Sequence, residues 1–237
     1  MLIVADVKSL EVVTCAFLSQ DNTLANEVRE GVDFHEQNRV KFGLPNRTIA
    51  KIFMFKLIYG ATAWGYANDG DFISVSTKEA FWQEVIDEFY AKYTGIRKWH
   101  TRIVQEAIST GTFQSPTARV YRYNASDIPT RLWFWRPKIL NYPVQGLGAD
   151  LVMLARISFW NRFKARGMIG LPISSVHDSI VVDSPKEECY TIGKMLKSCV
   201  RDVPMNFKKV FGKEFNVPLN AEIKVGNDLK NMEILEC

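Results

Sequence analysis

The chain opens on a short apolar run, Leu2–Ala5, which reads as a strand. The run breaks at Asp6 and gives way to helical spacing, with Leu10, Val13, Cys15, Phe17 and Leu18 apolar. A free N-terminus is usually polar and loosely held. A core strand as the first residues therefore reads as a piece of something larger, with Leu2–Ala5 an exposed edge missing its neighbour. Further on, NRTIAKIFMFKLIYG predicts a helix from Asn46. Ser76-Thr77-Lys78-Glu79 has the pattern of a capping box and opens a second helix running through about Tyr93. A third covers about Ile96–Thr110 and stops at Gly111. Residues 112–140 read as strand and loop, rich in Tyr, Trp and Arg. A long helix is expected from near Pro143 to just before Gly167. Two strand-like runs, Ile173–Val176 and Ile180–Val182, then flank the polar tripeptide His177-Asp178-Ser179. A helix over about Lys186–Asp202 follows, and NVPLNAEIKVG alternates like a strand. This order predicts an α+β chain in which a helical lobe, residues 21–136, is inserted between two pieces of one sheet, residues 1–20 and 137–237.

Composition narrows the picture only slightly. With 237 residues, 47% of them hydrophobic, the chain suits one sizeable domain or two lobes. A net charge of +4 permits a polyanionic partner without demanding one. The four cysteines, at 15, 189, 199 and 237, form no CxxC pair and no metal-ligand spacing. With no signal-peptide pattern, a reduced, cytoplasmic chain is expected. No apolar run is long enough to span a bilayer. The tryptophans at 64, 82, 99, 133, 135 and 160 read as packing aromatics, and the Lys and Arg residues after 186 as a solvated face.

The chemistry lies in two places. A tight hairpin tip usually carries Asn-Gly or Asp-Gly; here it carries an imidazole and a carboxylate and no glycine. The plain alternative is an ordinary turn, since Asp and Ser bond their own backbone. A second carboxylate at the end of another strand, Asp6, sharpens the reading, because two close carboxylates demand a cation. Between them in sequence, residues 35–56 hold five Lys/Arg against one acid. Arg47, Lys51, Phe55 and Tyr59 recur every four residues and share one slowly drifting helix face. Neither a solvated face nor a core face favours that mixture. Paired carboxylates for divalent cations and a cationic stripe for phosphates are the parts of phosphoryl or nucleotidyl transfer. Mg²⁺ suits the hard oxygen donors.

These segments resemble motifs A, B and C of family A DNA polymerases, the polymerase I group, most closely its phage replicative branch. DVKSLE resembles motif A, the R-x₃-K-x₃-F-x₃-YG run from Arg47 resembles motif B, and VHDS resembles motif C. NYPVQG and AEIKVGNDL resemble later segments of the same family, in the same order. The resemblance implies a palm (motif A in 1–20, motif C hairpin about 171–183) and an inserted helical fingers subdomain (motif B helix about 46–60), with the thumb and exonuclease domains absent. It implies that Asp6, Asp178 and the carbonyl of Val7 bind two Mg²⁺ ions. Arg47, Lys51 and His35 grip the triphosphate, Lys51 is the proton donor to pyrophosphate, and Phe55 lies against the incoming sugar and base. Tyr59 and Gly60 pack at the nascent pair and template. Glu11 is the gate against a ribose 2′-OH. Asn141, Gln145 and His177 touch primer–template DNA.

The chain departs from the family pattern at Ser179, where Glu is usual, at Val13, where many relatives have Arg, and at Lys56, where a small residue is usual. The resemblance implies DNA synthesis from dNTPs on primer–template DNA, with the chain as the C-terminal catalytic subunit of a split phage polymerase. An upstream chain would carry the thumb and exonuclease, and a viral chain would work in the host cytoplasm. Two alternatives stand beside it. A single-subunit phage-type RNA polymerase shares the architecture and resembles His-Asp-Ser better, but Glu11, Phe55 and the N-x-P-x-Q-G segment favour a DNA polymerase. A truncated, non-catalytic remnant acting only in an assembly is the other.

Overall fold

The computed structural model describes all 237 residues. In chain order, β1 (Leu2–Val7) leads into α1 (Leu10–Ser19), α2 (Asn22–Glu30), α3 (Phe34–Lys41), α4 (Arg47–Ile58), α5 (Ala63–Ala67), α6 (Glu79–Lys92) and α7 (Thr94–Thr110). A small hairpin, β2 (Thr112–Gln114) and β3 (Val120–Arg122), precedes the long α8 (Leu132–Ala165). Then come β4 (Leu171–Val176), β5 (Ser179–Asp183), α9 (Cys189–Arg201), α10 (Val203–Phe211), β6 (Ala221–Gly226) and β7 (Met232–Ile234). The result is a mixed fold of helices and antiparallel sheet. Two units separate: Met1–Val13 with Gly146–Cys237, and Thr14–Gln145. The boundaries fall inside α1 and α8.

The first unit is built on a five-stranded antiparallel sheet in the order β4-β5-β1-β6-β7. The opening strand is thus not an exposed edge. Ile3 pairs with Val182 on one side and Val225 on the other, so β1 has neighbours on both sides and the edges are β4 and β7. A local pattern of apolar residues cannot reveal strand order, because both partners lie far along the chain. Alternation sorts the two faces. Ile3, Ala5, Val7, Ile180, Val182, Ala221 and Ile223 are buried on one side, with α9 packed against β1 and β6. Gly193 makes that approach possible, since a Cβ there would lie 2.8 Å from Leu235 Cδ2 and 3.2 Å from Ile223 Cγ2. Asp6 belongs to the other, half-open face.

The second unit is helical, around an aromatic core. Phe53, Tyr66, Phe72, Trp82 and Phe89 are fully buried, with ring centroids 4.9 Å apart for Phe53–Tyr66 and 5.1 Å for Phe72–Trp82. Polar ties fix the helices around it. The Asp21 carboxylate accepts from Leu24 N at the start of α2 and from Gly95 N in the first turn of α7. Glu27, Lys92, Asn38 and Tyr93 form a buried network joining α2, α3 and α6, including a Lys92–Glu27 pair at 2.8 Å.

Three local expectations need correction. Helix α6 starts at Glu79 with Lys78 in the cap position and no side-chain cap. Ser76 instead accepts from Lys78 N through its hydroxyl and from the Trp82 indole through its carbonyl, which draws it into the turn before the helix. Helix α8 starts at Leu132 and carries Pro137 and Pro143 inside it. Proline removes a helical donor, but the fully buried Ile139, Leu140, Val144, Leu147 and Leu151 hold the helix through both sites. Tertiary packing here overrides local propensity. Of the tryptophans, Trp82 and Trp99 are buried, whereas Trp64, Trp133 and Trp160 are 64%, 76% and 43% exposed and are not core residues. Trp64 sits on the outward side of α5, opposite the buried Ala63, Tyr66 and Ala67.

Candidate active site

Main-chain pairing places the two acidic positions. Asp6 is in register with Ser179 across β1 and β5, and Val7 N donates to the carbonyl of Asp178 at 3.0 Å. Asp6, Val7 and Asp178 are therefore brought together at one end of the sheet, both aspartates half-buried. The turn between β4 and β5 has two residues, because Val176 pairs with Ser179. His177, its first residue, takes φ 52° and is exposed. A side chain in the left-handed region is strained, and such strain clusters at functional sites. Ser179 supports the turn: its hydroxyl donates to the Val176 carbonyl at 2.8 Å. The usual motif C carboxylate is thus replaced by a brace across the tip. Val13, the second departure, is buried. Glu11 lies in the first turn of α1, half-buried.

Sequence reasoning missed Glu222. It faces Asp6 in register on β6 and is paired with Lys224 at 3.1 Å and Lys8 at 3.7 Å. Those cations, the Lys224 contact first, hold its carboxyl below the usual range. Only strand register brings Glu222 to this row, and no local motif announces it.

A cation would fit the acidic end as follows. No three or more His, Cys, Asp or Glu side chains gather into a closed cage. What is offered is a pair of carboxylate residues and a backbone oxygen, all hard donors. Mg²⁺ takes such a set, because it binds through one or two carboxylates and fills its remaining positions with water and substrate phosphates.

In the helical unit, Asn46 caps α4 by accepting from Ile49 N at 2.9 Å. Arg47, Lys51 and Phe55 follow on one face, with Lys51 Nζ 5.8 Å from the Phe55 ring centroid. His35, on α3, is buried with its ring 5.8 Å from that of Phe55. Burial first, then the charges of Arg47 and Lys51, push its imidazole down to about 4, against a smaller opposing pull from Asp33. His35 is therefore neutral near pH 7, and its Nδ1 has no hydrogen-bond partner. Arg47 itself is held: its Nε donates to Asp33 Oδ2 at 2.7 Å, while Asp33 also caps α3 by accepting from Glu36 N. Asp33 was not singled out by sequence, since its partner lies on another helix. The Arg47 contact holds its carboxyl below the usual range.

The far end of α4 is pinned by α8. Gln145 Nε2 donates to the Tyr59 hydroxyl at 2.6 Å, and Arg136 Nη1 donates to the Gly60 carbonyl at 3.0 Å. Gly60 has φ +88°, and a Cβ there would meet Leu140 Cδ1 at 2.8 Å, so only glycine fits. Asn141 is half-buried, with its side-chain oxygen enclosed and lacking a hydrogen-bond partner. Lys56, the third departure, bridges Asp69 and Asp71 and lies 5.1 Å from the Phe72 ring centroid, which ties residues 69–72 to α4.

The family described as DNA polymerase family A matches residues 1–231. DNA polymerase I of Aquifex aeolicus is 25% identical over 232 residues, covering 90% of this chain and 39% of the relative. DNA polymerase I of Streptococcus pneumoniae is 27% identical over 215 residues, with 85% and 24% covered. The thermostable DNA polymerase I of Thermus aquaticus is 26% identical over 241 residues, with 96% and 27% covered. The chain thus spans between 24% and 39% of these relatives' lengths. Among solved structures, the POL domain of Pol1 from M. smegmatis, in complex with DNA primer-template and dNTP, matches with a TM-score of 0.79 at 21% identity. The match covers 95% of this chain and 39% of that one. At that identity the likeness speaks for the fold.

Proposed function

The chain belongs to DNA polymerase family A, and on that premise we propose that it carries out template-directed DNA synthesis, adding dNMP to a primer 3′ end. The observation that carries this reading is the Val7–Asp178 main-chain bond, which sets the two acidic residues side by side. Two Mg²⁺ ions, when bound there by Asp6, Asp178 and the Val7 carbonyl, supply charge neutralisation at the attacking and departing oxygens. The remaining work falls to the chain's own side chains. Arg47 and Lys51 counter the triphosphate charge, and Lys51 donates a proton to the departing pyrophosphate. Neutral His35 contributes a hydrogen bond rather than a charge. Phe55 packs on the incoming sugar and base, and Tyr59 and Gly60 border the nascent pair. Glu11 excludes a 2′-hydroxyl, and Asn141, Gln145 and His177 meet primer–template DNA.

The reading includes an upstream polymerase chain, carrying the thumb and exonuclease, that makes this chain the catalytic subunit of a split phage enzyme. One observation supports it: an apolar face left open in the sheet unit. On that face Ile157 and Trp160 of α8 and Leu171 and Ile173 of the edge strand β4 line a cavity of about 460 Å³. Exposed apolar surface of this kind marks a partner site.

Primer extension on a recessed DNA template with Mg²⁺, supplied with dNTPs or rNTPs, tests the proposal. The expected result is extension with dNTPs, from the chain alone or on adding the upstream polypeptide. Extension with rNTPs only would replace it with RNA synthesis. No extension under either condition, with the upstream polypeptide present, would overturn it.

A further inference from the structure

A second charged site lies in the sheet unit, away from the acidic pair. Arg162 and Arg166 near the end of α8 and Tyr190, Thr191, Lys194 and Ser198 of α9 line a cavity of about 390 Å³. Its groups are not equivalent. Arg162 is already engaged, donating through Nη1 to Ser198 Oγ at 3.0 Å and through Nη2 to Asp202 Oδ2 at 2.7 Å. Arg166 and Lys194 have no carboxylate partner, so two positive charges face the cavity uncompensated. Lys194 lies 5.2 Å from the centroid of the Tyr190 ring, which is 52% exposed. The Thr191 hydroxyl completes a rim suited to phosphate oxygens, whereas that of Ser198 is already used, accepting from Arg162 and donating to Asp202 Oδ2 at 3.3 Å.

Place in the fold separates this cavity from the acidic end. Gly170, just before β4, is so close to the far end of β5 and to α9 that a Cβ would meet Asp183 O at 2.9 Å and Ile192 Cδ1 at 3.2 Å. The first turn of α9 therefore sits at the open end of the β4–β5 hairpin, whereas Asp178 is at its tip. The five residues of β5 lie between, about 15 Å at the usual strand rise.

Uncompensated cations call for an anion, and an exposed aromatic ring beside them calls for a flat partner. Together they are the components of single-stranded nucleic acid binding, in which cations track the backbone and bases stack on aromatic rings. A duplex hides its base faces and could use only the cations. We infer that the Arg166–Lys194–Tyr190 cavity binds one nucleotide of a single-stranded DNA segment, its phosphate between Arg166 and Lys194 and its base on Tyr190. This site does not depend on nucleotidyl transfer and stands apart from the function proposed above.

The test is fluorescence anisotropy of a labelled oligo-dT of about 12 nucleotides with the full chain, over a range of salt. Arg166→Glu and Lys194→Glu should each weaken binding about tenfold and reduce the salt slope by about one unit per lost cation. Tyr190→Ala should weaken it at least about fivefold, and Tyr190→Phe should retain it. Circular dichroism confirms that each variant is folded. Primer extension on a template with a two-nucleotide overhang should be unchanged in all four. Unchanged oligo-dT affinity in the folded Glu variants would overturn the site. So would displacement of the oligonucleotide by an equal concentration of dTMP or pyrophosphate, which would make it a free-nucleotide or phosphate site. Equal binding of duplex, insensitive to Tyr190→Ala, would overturn the stacking role.

Discussion

In the sheet unit the candidate acids ride on the main chain: Asp6 is fixed by strand register and Asp178 by a bond to its own backbone carbonyl. In the helical unit the groups expected to meet a triphosphate ride on side chains. Arg47 depends on Asp33, and Tyr59 on Gln145, which donates from another helix. The difference matches the two tasks proposed for these groups. Metal ligands must keep one geometry, and a hydrogen-bonded ladder supplies it without using a side chain. Groups that receive and release a nucleotide must exchange partners, and an exposed ion pair, worth little in water, exchanges readily.

The largest effect should come from breaking the sheet side. Asp6→Asn or Asp178→Asn leaves every main-chain bond in place, so circular dichroism should be unchanged while nucleotide addition falls on the order of a thousandfold or more. Substantial activity in either variant would remove the aspartates from the site. Next, Glu11→Ala should raise rNTP use relative to dNTP by roughly 10- to 100-fold in single-nucleotide incorporation. An unchanged ratio would leave Glu11 a structural residue.

The helical side is sharpened by pH. The folded-state pKa of His35 is depressed to about 4 from an ordinary 6.5, by burial first. Between those values the unfolded chain binds the extra proton, so stability rises with pH across this window. It is fully present above about 6.5 and is lost as pH falls towards 4. His100, fully buried beside Tyr90 at 2.9 Å and pushed down to about 3 by burial and by Arg136, acts in the same sense. Thermal melts at pH 7 and pH 5 should therefore differ, and His35→Gln should shrink the difference by about 1–3 kcal/mol. An unaltered difference would mean that His35 is not held neutral by the fold. The smallest effect belongs to Asp33→Asn. Asn keeps the cap on Glu36 N and removes only the charge facing Arg47, so chemical denaturation should show a loss below about 1 kcal/mol. A much larger loss would show that this pair is not the exchangeable contact proposed.

Legibility in the sequence followed the range of the interaction. β1, α4 and the β4–β5 hairpin were readable because their signals are local: an apolar run, a cap with a four-residue stripe, and two strands around a polar tip. The central place of β1 was not, since its partners lie at Ser179–Asp183 and Ala221–Gly226. The early start of α8 was hidden by two prolines that local propensity counts against a helix, although buried apolar residues outweigh them. Within the candidate site, the motif residues were named from their segments. Asp33, Arg136 and Glu222 were missed because each matters only through a partner on another element.

The position of β1 also sets a timetable for the chain's birth. The helical unit, Thr14–Gln145, is continuous in sequence and can begin to pack while the rest is still being made. Leu2–Val7 is made well before β5 and β6, and must wait for β5, and then for β6, before either edge is covered. At typical synthesis speeds of about 5–20 residues per second, that wait is on the order of 10 to 40 seconds. Pairings so distant in sequence also close slowly once both strands exist. The strand that carries Asp6 is therefore made long before it is secured, and until both partners arrive its two open edges need shelter from aggregation.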